Sequence, residues 1–212
     1  MSEVKLCGSC GSKIKEGSLF AGNFTLDDQT ISLVNEVFDL KGETYCRNCR
    51  PGIENLTQII NKLDVYIRYN IHSVPILTTH TPHLWDYQPI GVVTGQSVIG
   101  TGIVSEFKSS FTDFFGMSSG SFTAKIAQGE TDCFLQMRMK TLKSGGNAII
   151  ATDIDYGELG SVKGMIMVCS AGTAINLKNT GLPSVNFDVI NNLVESTNKL
   201  ESAIKLKEIY LR

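Results

Sequence analysis

The sequence predicts an α/β protein of the α+β kind: a small cysteine-paired module, then a mixed helix-and-strand domain with an antiparallel sheet, flanked by amphipathic helices. Three observations carry this. Four of the six cysteines form two CxxC pairs, Cys7 with Cys10 and Cys46 with Cys49. From residue 74 to about 178, strand-like and helix-like runs alternate between glycines. At 53–70 and 185–211, apolar residues recur three and four apart on a polar background. The expected division is a cysteine module at 1–52, a linker helix within 53–73, a central domain at 74–180 and a C-terminal helix within 181–212.

Within the module, the residues between the pairs mix short apolar runs with turn signals at Gly17, Gly22-Asn23, Asp27-Asp28 and Lys41-Gly42, which reads as short strands and hairpins. Pro51-Gly52 opens a helix carrying Ile53, Leu56, Ile60, Leu63 and Ile67, about two and a half heptads ending near Asn70. In the central domain a strand over Ile90 to Thr101 is expected to bulge or bend at Gly95. One helix is expected from about Ile103 to Phe115, and a second from Ser121 to Ser144, closed by Gly145-Gly146. Two strands follow, Ala148 to Tyr156 and Val162 to Leu177, joined by a turn at 157–160 into an antiparallel hairpin. The second is apolar on both faces, with Met165, Met167 and Cys169 opposite Ile166 and Val168. One helical layer covers a single face, so the other asks for a partner. After Leu182-Pro183 a helix from Val185 to Leu211 places Ile190, Leu193, Leu200, Ile204 and Leu211 on one narrow stripe, suited to docking or a short coiled coil.

Composition narrows the function classes. The chain has 212 residues, 42% of them apolar and 19% charged, with a net charge of -2, so no global field draws it to phosphate backbones. The first fifty residues carry six basic and seven acidic side chains, and bound thiolates would add negative charge. Nucleic acid is therefore not the expected partner. The start lacks the apolar stretch of a secretory signal and no run reaches the roughly 18 apolar residues of a membrane span, so a cytoplasmic, reducing location is expected.

In that setting paired cysteines point to metal. Zn²⁺ takes four tetrahedral ligands, and two intervening residues let a chain turn so that both sulfurs of a pair face one ion. The 35 residues between Cys10 and Cys46 exceed the usual roughly 15 to 20, but extra loop length costs little. Gly11, next to Cys10, suits the left-handed turn that closes a knuckle and aims amides at sulfur. One structural zinc per chain, held by Cys7, Cys10, Cys46 and Cys49, is the expectation; two disulfides, four free thiols or a redox CxxC are its alternatives. Four thiolates leave no open position, so the metal would fold the module rather than react.

Other candidate residues point to blander roles. His80 and His83 flank Pro82 in THTPH, which reads either as a metal or proton-transfer site or as a solvated loop. Asp153 and Asp155 share a strand face and could bind a cation or act as acid and base, or form a solvated edge or a salt-bridge pair. Cys133 and Cys169 read as core thiols. VVTGQSVIGTG matches neither a Walker loop nor a dinucleotide fingerprint, and no nucleophile has an adjacent base.

Two resemblances add to this reading. The knuckle followed by a pair that feeds a helix resembles zinc-ribbon and treble-clef modules over residues 4–55, and YCRNC resembles the last pair of LIM-type fingers. Residues 76–178 resemble the YbjQ-like family of small bacterial domains labelled heavy-metal-binding, through ILTTHTP, IGVVTGQSVIGTGIVSEFKSSFTDFFG and GGNAIIATDIDYGELGSVKGMIMVCSAGTAI. The chain departs from that pattern in GMSSGSF, which lacks arginine, and in a long helix poor in glutamate and alanine. The resemblance implies a two-layer, dodecin-like subunit assembled into a homopentameric ring, with no catalytic reaction attached. The resulting expectation is a non-enzymatic, zinc-containing oligomeric scaffold whose module meets a protein partner. A heavy-metal carrier or sensor is the alternative, and an interface enzyme using Asp153, Asp155 and Tyr156 is a third.

Overall fold

A computed structural model describes residues 5–14, 23–99, 122–158, 165–180 and 185–211. The turn signals expected at Gly17 and Gly22, the helix expected at 103–115, half of the turn at 157–160, the first residues of the strand at 162–177 and the Leu182-Pro183 break lie outside them. Among the described residues there are four α-helices, α1 (Asp28–Phe38), α2 (Ile53–Asn70), α3 (Phe122–Lys143) and α4 (Phe187–Leu211), and three strands, β1 (Asp86–Ile99), β2 (Ala148–Glu158) and β3 (Ile166–Asn179). The chain divides into two compact units, Met1–Tyr69 with Glu195–Arg212, and Asn70–Val194.

The first unit contains a correction. Asp27-Asp28 opens a helix, α1, where the sequence reading expects strands and hairpins. The Asp27 carboxylate accepts from the Thr30 amide at 2.9 Å and the Thr30 hydroxyl at 2.8 Å, so a residue pair that also suits turns serves here as an N-cap. The buried residues Thr30, Ile31, Val34 and Val37 keep helical spacing. Among the described residues, strand pairing in this unit is reduced to single bridges, Leu6 with Lys13 and Thr25 with Cys46. Below α1, Asn35 binds the turn that returns to the second cysteine pair. Its Oδ1 accepts from the Tyr45 hydroxyl at 2.7 Å and the Gly42 amide at 3.1 Å, and its Nδ2 donates to the Gly42 carbonyl at 2.9 Å. Cys7, Cys46, Val34, Val37, Tyr45 and Leu56 share one core with Ala203, Leu206 and Tyr210 of α4. The stripe expected at the end of α4 is thus displaced. Ile204 and Leu211 are exposed, while alanine and an amphipathic tyrosine supply the buried face.

In the second unit the sheet has the order β1-β3-β2 and is antiparallel throughout, with β2 and β3 pairing as the expected hairpin. Helix α3 packs on one face, where Val93, Met137, Ile149 and Ala174 form a buried cluster. Its end follows the glycines: Gly145 sits at φ 79° and the Gly146 amide returns to the Thr141 carbonyl at 2.9 Å. Gly95 does not bulge. It pairs regularly with Ser170, and the irregularities of β1 lie at Asp86/Tyr87 and Pro89/Gly91. Gly95 is required for another reason: a Cβ there would stand 2.2 Å from the Cys133 carbonyl oxygen, so the missing side chain lets the helix backbone rest on the strand.

Among the described residues, the opposite sheet face is covered along half its length. Ala148, Ile150, Ile175 and Leu177 are buried against Trp85, Tyr87, Val185 and Phe187. Farther along, Met167 and Cys169 are half-buried and Ala171 is exposed. On the neighbouring strand Val92, paired with Thr173, is 79% exposed, and Val98, paired with Met167, is 52% exposed.

Candidate metal centre

Two knuckles build the cysteine centre. In the first, the Gly11 amide donates to the Cys7 carbonyl and the Cys7 amide to the Ser12 carbonyl, both at 2.9 Å, with Gly11 left-handed at φ 69° as expected of a knuckle glycine. In the second, Arg50 follows Cys49 at φ 37°, a left-handed position that side chains rarely adopt. The Cys46 amide points at the Cys7 sulfur, 3.3 Å away, and the bridge from Thr25 to Cys46 ties the second knuckle to the segment before α1.

The four sulfurs lie within 4.8 Å of one another. Cys7 Sγ is 3.6 Å from Cys49 Sγ, and Cys10 Sγ is 3.6 Å from Cys46 Sγ. A disulfide requires about 2.05 Å, so the thiols are unbonded. A tetrahedral ion with metal–sulfur bonds of about 2.3 Å would hold its sulfurs roughly 3.8 Å apart, close to the observed spacing. The donor set therefore fits a soft or borderline divalent cation, with all four positions filled by protein.

The electrostatics of the sulfurs differ from one to the next. Hydrogen bonds from the Ser12 side chain and amide bring the exposed Cys10 thiol down to about 6. Burial opposes ionisation of Cys7, but amides of Cys10, Cys46 and Ser9 outweigh it and its pKa falls. Burial and the neighbouring sulfurs push the Cys49 thiol well up. Four converging thiolates repel one another unless a cation sits among them, and such a cation reverses this preference.

The remaining candidates do not converge. Among the described residues, no other group of three or more His, Cys, Asp or Glu side chains is placed to hold an ion. His80 and His83 are exposed in the loop before β1. Asp153 and Asp155 are exposed, each accepting the amide of the next residue, and pair across to Ala171 and Cys169. Tyr156 belongs to the opposite face, where its hydroxyl donates to Glu130 of α3, so the structure separates it from the aspartate pair. Cys133 is buried with its thiol 3.2 Å from the Val168 carbonyl oxygen, and burial raises it to about 11; Cys169 lies on the other face of β3. Sequence reasoning missed Arg50 and Tyr210. The Arg50 guanidinium donates to the Tyr210 carbonyl at 2.7 Å, and the Tyr210 hydroxyl to the Pro51 carbonyl at 3.1 Å. The available signal was an arginine, rather than glycine, directly after the second pair.

Fold and site together define a mixed helix-and-strand protein with a four-cysteine centre outside its sheet domain. Residues 76–178 match the YbjQ_1 family model, described as "Putative heavy-metal-binding". A UPF0145 protein of Anoxybacillus flavithermus is 36% identical over 91 residues, covering 43% of this chain and 85% of that protein. A UPF0145 protein of Geobacillus kaustophilus is 36% identical over 90 residues, 42% of this chain and 84% of that one. The chain belongs to this YbjQ/UPF0145 family. A crystal structure from Pediococcus pentosaceus, titled as a protein of unknown function in the DUF74 family, is 20% identical and covers 49% of this chain and 96% of that one, with a TM-score of 0.32. The four cysteines all precede the matched residues. No helix among the described residues is long and apolar enough to cross a membrane.

Proposed function

We propose that this chain is a non-enzymatic oligomeric scaffold of YbjQ-like type, carrying one structural Zn²⁺ on Cys7, Cys10, Cys46 and Cys49. The observation that carries the zinc is the sulfur geometry: two 3.6 Å spacings in a set of four donors, with no place left for a substrate. Oligomerisation is supported by the half of the sheet that no described residue covers, where Val92 and Val98 stand exposed beside Met167 and Cys169. A repeated subunit contact removes that patch, and a closed ring repeats it without leftover faces. The number five comes from the family resemblance. A ring would present several metal modules to a protein partner in the cytoplasm, gaining avidity from weak single contacts. Native mass spectrometry with metal analysis of the same sample tests this. Five chains with five zinc ions are expected; a metal-free monomer would refute both parts.

The alternative reading is a heavy-metal carrier or sensor, favoured by the description attached to the family. Chelator titration distinguishes the two. A carrier takes up exchangeable metal beyond one ion per chain, at His80, His83 or the Asp153/Asp155 pair, whereas a scaffold keeps a single tight zinc.

A further inference from the structure

The two knuckles differ at the residue that follows each pair. Glycine accepts the left-handed conformation at Gly11 without steric cost, while Arg50 adopts it against the preference of its side chain. Something must hold Arg50 there, and its hydrogen bond supplies the restraint. The guanidinium reaches the Tyr210 carbonyl near the end of α4, and the Tyr210 hydroxyl reaches the Pro51 carbonyl. Tyr210 is thus bound at both ends to the two residues directly after Cys49. It is 3% exposed and its hydroxyl bond is buried, a setting that strengthens that bond, while the bond from the exposed Arg50 is part-buried. Leu206 and Ala203, one and two turns earlier on the same helix face, belong to the core that holds Cys7 and Cys46.

We infer that the end of α4, residues 203–211, is a latch whose closure is linked to metal in the cysteine centre. The inference rests on the reading that the four cysteines hold zinc. With metal bound, the second knuckle is fixed, Arg50 stays left-handed and Tyr210 keeps both partners. Without it the four sulfurs lose their common anchor, the knuckle loosens, the Arg50 restraint is lost and the helix end is released. Linkage works in both directions: zinc binds the closed form more tightly than the open one by the same factor by which it shifts the latch toward closure, so a weakened latch lowers zinc affinity.

Hydrogen–deuterium exchange on the full chain tests this, comparing zinc-loaded protein, protein stripped with a strong chelator, and stripped protein given zinc again. Zinc content is measured on each sample. Peptides covering 200–211 are expected to exchange at least about ten-fold faster after stripping and to recover with zinc, while peptides of β1 and β3 stay unchanged. Two variants probe the reverse direction. Arg50→Gly keeps the left-handed turn and removes the guanidinium; Tyr210→Phe keeps the ring and removes the hydroxyl. Each is expected to bind zinc about ten-fold more weakly against a competing chelator. If Arg50→Gly unfolds the unit, the milder Tyr210→Phe decides. One zinc per chain with equal protection of 200–211 in loaded and stripped protein overturns the latch alone, as does wild-type zinc affinity in Tyr210→Phe. Protein that never binds zinc overturns the metal reading and the latch with it.

Discussion

In the second unit the α3-side core lies between a three-stranded sheet and one helix, built from strands and a helix that follow closely in sequence, whereas the first unit draws its buried side chains from residues 7–56 and again from 203–210. The sheet unit holds apolar clusters on both faces, Met137 and Ile149 on one, Ile175 and Leu177 on the other. The cysteine unit has an apolar core too, around Val34, Val37, Leu56 and Leu206, but ties it to polar and thiol groups: Asn35, Tyr45 and four sulfurs. A core of the first kind is stable through burial alone, while small modules of the second kind take much of their folding free energy from the ion. The difference teaches where the chain is vulnerable, and it can be broken experimentally.

The largest effect is expected from Cys46→Ser combined with Cys49→Ser. Structural zinc supplies on the order of 10 to 16 kcal/mol in small modules, so its loss should unfold the two knuckles and the segment between them and free the helix residues Ala203, Leu206 and Tyr210 from that core. The sheet unit should keep its own cooperative transition. Hydrogen exchange resolved by peptide checks this, and loss of protection in β1, β2 and β3 together with the cysteine unit would end the comparison.

Acid should produce the same separation reversibly. Ser12 holds the Cys10 thiol at about 6, against about 8.5 for an unfolded cysteine. A depressed folded pKa gives stability that is fully present above the unfolded value and is lost as pH falls through the folded one, and a bound ion moves that window lower. Zinc content and the melting of the first unit should therefore hold steady at alkaline pH and fall together in the acid range. Zinc retained while the first unit melts would show that other groups govern its acid sensitivity.

How much of this was legible in the sequence differs between the two regions for physical reasons. Helix α2 runs Ile53–Asn70 as its three-and-four spacing predicts, α3 ends at the double glycine, and β2 with β3 form the hairpin, because local periodicity and turn chemistry decide those elements. In the first unit the decisive signals are shared between structures. Asp27-Asp28 suits a turn as well as a cap, and only the carboxylate bonds to Thr30 distinguish them. Ala203 and Tyr210 do not read as core residues because one is small and the other polar at its tip, yet both are buried where Leu211 is exposed. The four cysteines were legible from spacing alone; the contacts of Arg50 with a residue 160 positions away were not. Gly95 was legible as special, but its role in letting α3 approach belongs to tertiary packing.

That role makes Gly95 the matching perturbation of the second unit. Gly95→Val would place a branched side chain where even a Cβ meets the Cys133 carbonyl at 2.2 Å, a backbone atom that cannot rotate away. Overpacking of this kind costs typically about 1 to 3 kcal/mol, and a backbone clash lies at the upper end. The melting of the sheet unit should fall by several degrees per kcal/mol, with zinc content unchanged. An unchanged sheet transition would mean that α3 sits on β1 more loosely than described.

The smallest effect sharpens the comparison inside the first unit. Asp27 caps α1 through both carboxylate oxygens, and loss of such a cap costs typically about 1 kcal/mol. Asp27→Ala should lower the melting of the cysteine unit by a few degrees and leave the sheet unit unmoved. Asp27→Asn keeps an acceptor for the Thr30 amide and should recover much of the loss, since the neutral amide oxygen still caps. If α1 is held mainly by its buried stripe of Ile31, Val34 and Val37, the two variants will melt alike. In that case Val34→Ala, which removes two methyl groups from a fully buried site, will have the larger effect. A greater loss in Asp27→Ala than in Asp27→Asn assigns part of the helix's stability to the cap, the same short polar pair that makes this segment resemble a hairpin turn in the sequence.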